Sequence, residues 1–145
     1  MERLFDYNRQ ANKRLIELFL EQNHLNEKLH QLLSHIINAQ ELWNARIEDR
    51  HPQLGVWELI HPSSLGSWND KVYEQTAELI KTYLFDHRIA YVNSKGDSFT
   101  STLEEILNHL FYHAAYHRGQ VAIYMRQIGL EPPNTDFIEF CRAGI

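Results

Sequence analysis

The chain has 145 residues, of which 43% are hydrophobic and 23% are charged, and this composition predicts one globular domain over residues 1–145 rather than a disordered or fibrous protein. Its 14 Lys and Arg residues against 19 Asp and Glu give a formal net charge of −5, with no basic cluster, so we expect no nucleic-acid partner. No run approaches the roughly 20 apolar residues of a membrane span. We therefore expect no membrane partner. The single cysteine, Cys141, permits no intrachain disulfide, which fits a cytoplasmic protein.

Two amphipathic helices are predicted in the first third of the chain. The first covers residues 3–21 and the second about 26–50, because apolar residues recur in both at helical spacing with charged residues between them. Asn26 is the expected N-cap of the second helix. The apolar stripe of that helix consists of Leu29, Leu32, Ile36, Ala39, Trp43 and Ile47.

A long connection, a third helix and a small hairpin follow. Two breaks rich in proline and glycine, at residues 51–55 and 61–66, leave room for one short helical turn near residues 56–60. Apolar spacing then predicts a third helix over residues 67–85. Residues 88–92 alternate in polarity, and 98–100 continue this pattern after a turn, which indicates a β-hairpin.

The fourth helix has the clearest N-terminus. Ser101 and Thr102 are each followed three residues later by a glutamate, so either register can form a capping box. Gly129 and the two prolines after it end the helix. Four amphipathic helices in one small chain bury their apolar stripes against one another. We therefore predict an all-α fold, an up-down four-helix bundle with a long helix 2–3 connection and a small β-hairpin before helix 4.

Three of the nine histidines form a candidate metal site. His113 and His117 lie one turn apart on the inward arc of the fourth helix, so both rings can face one cation, and His109 lies at the edge of that arc. Such a pair alone is more often an ordinary feature of a core. His35 on the second helix changes this balance, because it can face the pair across the bundle.

Three imidazoles with no evident fourth ligand describe an open site for Zn²⁺, Ni²⁺ or a similar divalent ion, as in catalytic centres. Because such ligands must be neutral, we expect metal affinity to fall below a pH of about 6.5. We expect the five remaining histidines to be solvated loop residues: His24, His30, His51, His61 and His87.

The run His113-Ala114-Ala115-Tyr116-His117-Arg118-Gly119-Gln120 resembles the HxxxHRGQ signature of the DinB-like (YfiT-like) metalloenzyme family. The resemblance extends over nearly the whole chain through Tyr7-Asn8, Ser34-His35-Ile36, Trp43, Arg46, Ser98-Phe99 and residues 132–138. It implies a four-helix bundle, often a homodimer, in which three histidines hold a divalent metal. On the matching positions these are His35, His113 and His117. It also implies chemistry with low-molecular-weight thiols such as bacillithiol, mycothiol or glutathione.

The signature residues after His117 have their own interpretations. Gln120 lies on the side of His113 and can orient an imidazole or hold a water, or it is an ordinary polar helix residue. Gly119 in mid-helix costs about 1 kcal/mol relative to alanine, which suggests that another backbone packs there. Arg118 points away from the metal face, and we expect it to pair with Asp136 in the C-terminal tail.

Three functions stay open at this point. The first is a metal-dependent S-transferase, in which zinc or nickel holds the sulfur of a small-molecule thiol as thiolate and presents it to an electrophile. Cys141 lies in the tail, so the thiol comes from a cosubstrate. The second is a metal-dependent hydrolase, which lacks a base because Glu105 and Glu41 are expected off the inward face. The third is a non-catalytic dimeric stress-response or binding protein.

Overall fold

The computed structural model describes residues 1–143, so the last two residues of the predicted domain lie outside the described part. The helices are α1 (Glu2–Leu20), α2 (Glu27–Ile47), α3 (Leu65–Thr82), α4 (Leu103–Gln127) and α5 (Phe137–Arg142). Between α3 and α4, β1 (Arg88–Val92) and β2 (Ser98–Thr102) form an antiparallel hairpin. The four long helices and the hairpin are therefore confirmed. No helix within residues 1–143 combines the length and the apolar character needed to cross a membrane.

The ends of the helices follow the capping chemistry that the sequence predicts. The Asn26 side chain accepts a hydrogen bond of 3.1 Å from the backbone N–H of Leu29 at the start of α2. Thr102 and Glu105 form the capping box of α4, so the second of the two predicted registers is the correct one. Gly129, with a φ of 81°, ends α4 in the left-handed conformation that glycine adopts without strain.

Three local features differ from the prediction. Helix α3 ends three residues early, because Tyr83 has an extended backbone and the next side chain, Leu84, is 78% exposed. The short helical turn expected at residues 56–60 is only a single turn, closed by the Glu58 N–H and the Gly55 carbonyl (2.9 Å), and a 3-10 turn follows at Pro62–Ser64. The short helix α5 was not predicted.

The buried side chains form two core clusters, which show how the helices run. One cluster joins the C-terminal halves of α1 and α4 to the N-terminal halves of α2 and α3. The other joins the opposite halves of the same four helices. Helices α2 and α3 therefore run in the same direction, antiparallel to α1 and α4. The alternating up-down order is not confirmed, since the long connection carries the chain back along the bundle before α3 begins.

This connection lies along α2 and is tied to it by polar side chains. The buried amide of Asn38 donates to the carbonyls of Gly55 (3.1 Å) and Glu58 (2.8 Å). The hydroxyl of Ser34 accepts from the backbone N–H of Ile60 (3.1 Å). These bonds satisfy backbone groups that would otherwise lack partners. They also hold residues 55–60 against the middle of α2, where the histidine site lies.

Candidate metal centre

Three histidine side chains from α2 and α4 converge between these helices. His35, His113 and His117 each offer one ligand atom, and these atoms all lie within 4.8 Å of one another. Nε2 of His35 is 3.1 Å from Nε2 of His113, and the ring centroids of His113 and His117 are 4.4 Å apart. His35 is buried and the other two are half-buried. The structure therefore brings together all three predicted ligands, and metal binding by them stays a prediction.

Hydrogen bonds on the outer side of two of these rings determine their tautomers. Nδ1 of His35 lies 3.1 Å from the carbonyl oxygen of Val56, which can only accept, so Nδ1 carries the proton and donates. Nδ1 of His117 donates in the same way to Oε1 of Gln120 (2.7 Å). Each neutral ring then has an unprotonated Nε2 available to the cluster. Gln120 thus orients an imidazole, the first of its predicted roles.

Burial favours the neutral form of two of the histidines. The pKa of His113 falls to about 3, chiefly because burial penalises the imidazolium and then because charges on His117, His35 and His109 would repel it. Burial also lowers the pKa of His35, although its hydrogen bond to the Val56 carbonyl opposes this change. A metal requires neutral imidazoles. For His113, competition from protons therefore begins well below the pH of about 6.5 expected for ordinary histidines, and for His35 it is shifted in the same direction.

This donor set fits a divalent transition metal. The lone pair on Nε2 of His35 points toward Nε2 of His113, so without a cation the contact needs a proton on the His113 nitrogen. A shared cation would replace that proton. Nitrogen donors suit zinc and nickel, and within residues 1–143 no cysteine or carboxylate joins the three histidines.

A sequence model of the DinB family matches residues 2–143. The chain belongs to the DinB family. No curated protein matches it. The family match includes both helices that carry the three histidines, so the resemblance seen in the signature of α4 is confirmed for nearly the full length of this DinB-family chain.

The connection between α2 and α3 contributes to the site in a way that the sequence does not reveal. Trp57 stacks on His35, with ring centroids 3.7 Å apart and an interplanar angle of 7°, while 58% of Trp57 stays exposed. The Val56 carbonyl and the Trp57 ring thus hold the His35 imidazole at its edge and on its face. No spacing rule links residues 56–57 to residue 35, and a tryptophan within a connection rich in proline and glycine was the only signal.

The histidines outside the cluster mostly follow the prediction. His109 is exposed and lies beside His113, with ring centroids 5.6 Å apart, but it is not part of the ligand cluster. His30 is not a loop residue, because it lies in α2, is half-buried, and bonds the Ile60 carbonyl through Nε2 (2.6 Å). The other four histidines expected in loops are exposed: His24, His51, His61 and His87.

Neither of the two glutamates considered as a general base has a free carboxylate at the histidine site. Glu41, which was expected off the inward face of α2, is buried and only 1% exposed. Its carboxylate accepts from Arg50 (2.6 Å) and from the backbone N–H of Gln53 (3.2 Å). Glu105 is exposed, as predicted, and accepts from the backbone N–H of Thr102 in the capping box (2.8 Å). Both carboxylates stabilise local structure.

The predicted ion pair between Arg118 and Asp136 is wrong. The Arg118 guanidinium is buried and donates to Oδ1 of Asn12 and to the hydroxyl of Tyr7, both at 3.3 Å. The Tyr7 hydroxyl in turn donates to the carbonyl of Thr135 (2.6 Å). The tail is therefore attached to the bundle through the tyrosine hydroxyl and a backbone carbonyl, and side chains of α1 bind the arginine in place of the Asp136 carboxylate.

The interpretation of Gly119 is also wrong. A Cβ atom at this position would meet no atom within 4 Å among the described residues. Gly119 is exposed, so no neighbouring backbone in this part of the chain explains the glycine.

Proposed function

We propose that this DinB-family protein binds zinc or nickel through His35, His113 and His117 and acts as a transferase with a low-molecular-weight thiol and an electrophile. The observation that carries the proposal is the convergence of three histidine ligand atoms within 4.8 Å, with no fourth protein ligand among residues 1–143. Catalytic metal sites keep a coordination position for water or substrate, whereas structural sites are closed by four protein ligands.

The residues around the histidines would prepare the site for this chemistry. When bound, the cation supplies a Lewis acid that lowers the pKa of a thiol and favours the thiolate, the nucleophilic form of sulfur. Val56 and Gln120 keep the protons of two imidazoles on their outer nitrogens. Trp57 covers one face of His35 and limits the access of water to it.

The nucleophilic sulfur would come from a cosubstrate. Cys141 is the only cysteine of the chain, and it packs with Tyr7, Ala11 and Phe140 in a separate cluster between α1 and α5. A hydrolase has less support, because the carboxylates of Glu41 and Glu105 are bound in local structure. Family membership also supports a homodimer, which sedimentation would measure directly, whereas the cytoplasmic location is proposed from the single cysteine.

The test is metal analysis of untagged protein in which His117 is replaced by alanine, with His109→Ala as the matched control. His109 lies on the same helix two turns away and outside the ligand cluster. Wild type and the control should each hold one equivalent of zinc, and wild type should bind a thiol such as glutathione. The His117→Ala variant should lose both while keeping its helical content.

Three other results would argue against the proposal. Full metal occupancy in His117→Ala would show that the ligand set is wrong. Unfolding of this variant together with metal loss would indicate a structural metal. Stoichiometric zinc without thiol binding in wild type would favour a non-catalytic binding protein.

A further inference from the structure

Arg46 lies at the end of a row of ring side chains that begins at the histidine site. The ring centroid of His109 is 5.6 Å from that of His113 and 5.5 Å from that of Trp43. The Arg46 guanidinium lies over the Trp43 ring, 4.4 Å from its centroid, and 5.0 Å from the centroid of Tyr91 on β1. A row of neighbouring side chains thus connects the candidate metal ligands to the Arg46 cation.

Arg46 has no acidic partner in the described part of the chain. No carboxylate within residues 1–143 lies within 4.0 Å of its nitrogens, although the chain has a net charge of −5. Its one hydrogen bond runs from Nη2 to the carbonyl of Val92 (3.1 Å). The side chain is half-buried. Within residues 1–143 the guanidinium makes no other hydrogen bond, so its remaining N–H groups can bind an anion.

The spacing suits a ligand of about tripeptide size. His35 and Trp43 are eight residues apart on α2, which corresponds to about 12 Å along the helix axis. The Arg46 guanidinium lies 4.4 Å from the centroid of the Trp43 ring. An extended tripeptide spans about 10 Å, so a sulfur at the histidines and a carboxylate at Arg46 can belong to one small molecule.

We infer that Arg46 binds a carboxylate of the thiol cosubstrate while Trp43 and Tyr91 hold the guanidinium in place. The inference deepens the proposed function and rests on it for the sulfur end of the ligand. It names the substrate class as a carboxylate-bearing thiol of about tripeptide size. A planar guanidinium is well suited to this task, because it matches the two oxygens of a carboxylate.

Calorimetric titration of the full-length, zinc-loaded protein tests this inference without an activity assay. Glutathione is compared with its dimethyl ester, which keeps the thiol but has no carboxylate. Wild type should bind glutathione at least about tenfold more tightly than the ester, since one charge-assisted hydrogen-bonded pair contributes about this factor. Arg46→Met should remove the preference by weakening glutathione binding and leaving ester binding unchanged.

Two further variants control for charge and folding. Arg3→Met removes the same charge at an exposed position of α1 and should keep the wild-type preference. Arg46→Gln keeps a donor for the Val92 carbonyl and serves the same test if the methionine variant fails to fold. S-methylglutathione carries both carboxylates without a free thiol, so its binding reports on Arg46 independently of the sulfur.

The outcomes separate this inference from the proposed function. Equal preference for glutathione over the ester in wild type and in the Arg46 variants would overturn the inference, even with zinc and thiol binding intact. If zinc binds but neither thiol does, the proposed function fails at the sulfur end. In that case, S-methylglutathione binding that is weakened by the Arg46 substitutions would support the carboxylate site. If S-methylglutathione does not bind, or binds wild type and the Arg46 variants equally, the inference is overturned.

Discussion

Acidifying the metal-free protein from pH 7.5 to pH 5 should destabilise it through His113. The pKa of this side chain is about 3 in the folded protein, mainly because of burial, whereas in an unfolded chain it is about 6.5. Between these values the unfolded state binds more protons than the folded state. The contribution of the neutral ring to stability is therefore complete above pH 6.5 and is lost as the pH falls toward 3.

The size of this effect follows from the difference between the two pKa values. Each pH unit below 6.5 removes up to about 1.4 kcal/mol from the free energy of unfolding, which amounts to about 2 kcal/mol at pH 5. His113 is only half-buried, and solvent screening reduces the expected loss to about 1 kcal/mol. Burial lowers the pKa of His35 as well, and this acts in the same direction.

Urea unfolding in the presence of a chelator, at both pH values, measures the loss. The His113→Asn variant has no ring to titrate at this position and should lose about 1 kcal/mol less than wild type on acidification. His87→Asn changes an exposed histidine and should behave as wild type does. An identical loss in wild type and His113→Asn would refute the reasoning, and so would a gain in stability of the wild-type protein at pH 5.

Three substitutions, with Asp136→Asn as a control for the third, test other parts of the structure. Gln120→Ala should weaken zinc binding by about 10- to 100-fold, because His117 loses the acceptor that orients it. Competition with a chromophoric chelator measures the zinc affinity. An unchanged affinity would show that the contact between Gln120 and His117 is unimportant for zinc binding. Thr102→Val should lower the free energy of unfolding by about 1 kcal/mol through loss of the α4 capping box, which urea titration would detect. Tyr7→Phe should cost about 1 to 3 kcal/mol, since it leaves a buried guanidinium with one acceptor fewer. Asp136→Asn, at an exposed position, should change the free energy of unfolding little. A larger loss than that caused by Tyr7→Phe would contradict the assignment of the Tyr7 hydroxyl as the contact that holds the tail.

Family membership and the candidate ligands were predictable because the motifs that indicate them lie within short stretches of sequence. The pair His113 and His117 is one helical turn apart, and this spacing alone places both rings on one side of α4. His35 was found from its position beside the apolar stripe of α2, although only the structure shows its Nε2 at 3.1 Å from that of His113. The residues that surround the site were harder to predict, because Val56 and Trp57 reach it through a connection without periodic pattern.

The sequence by itself determined the four long helices, the hairpin and several of their ends. Asn26 and Thr102 bond backbone groups three residues away, and Gly129 supplies a backbone conformation at its own position. Such interactions lie within one turn of chain, so a short stretch of residues contains all the information they need.

Only the tertiary structure decided the direction of α3, the burial of Glu41 and the partners of Arg118. Each depends on segments far apart in the sequence: the connection that returns along α2, and the α1 side chains that reach the arginine first. An amphipathic stripe shows that a helix face is buried but not which element covers it. That choice follows from the packing of the whole chain, in which every buried polar group also needs a partner.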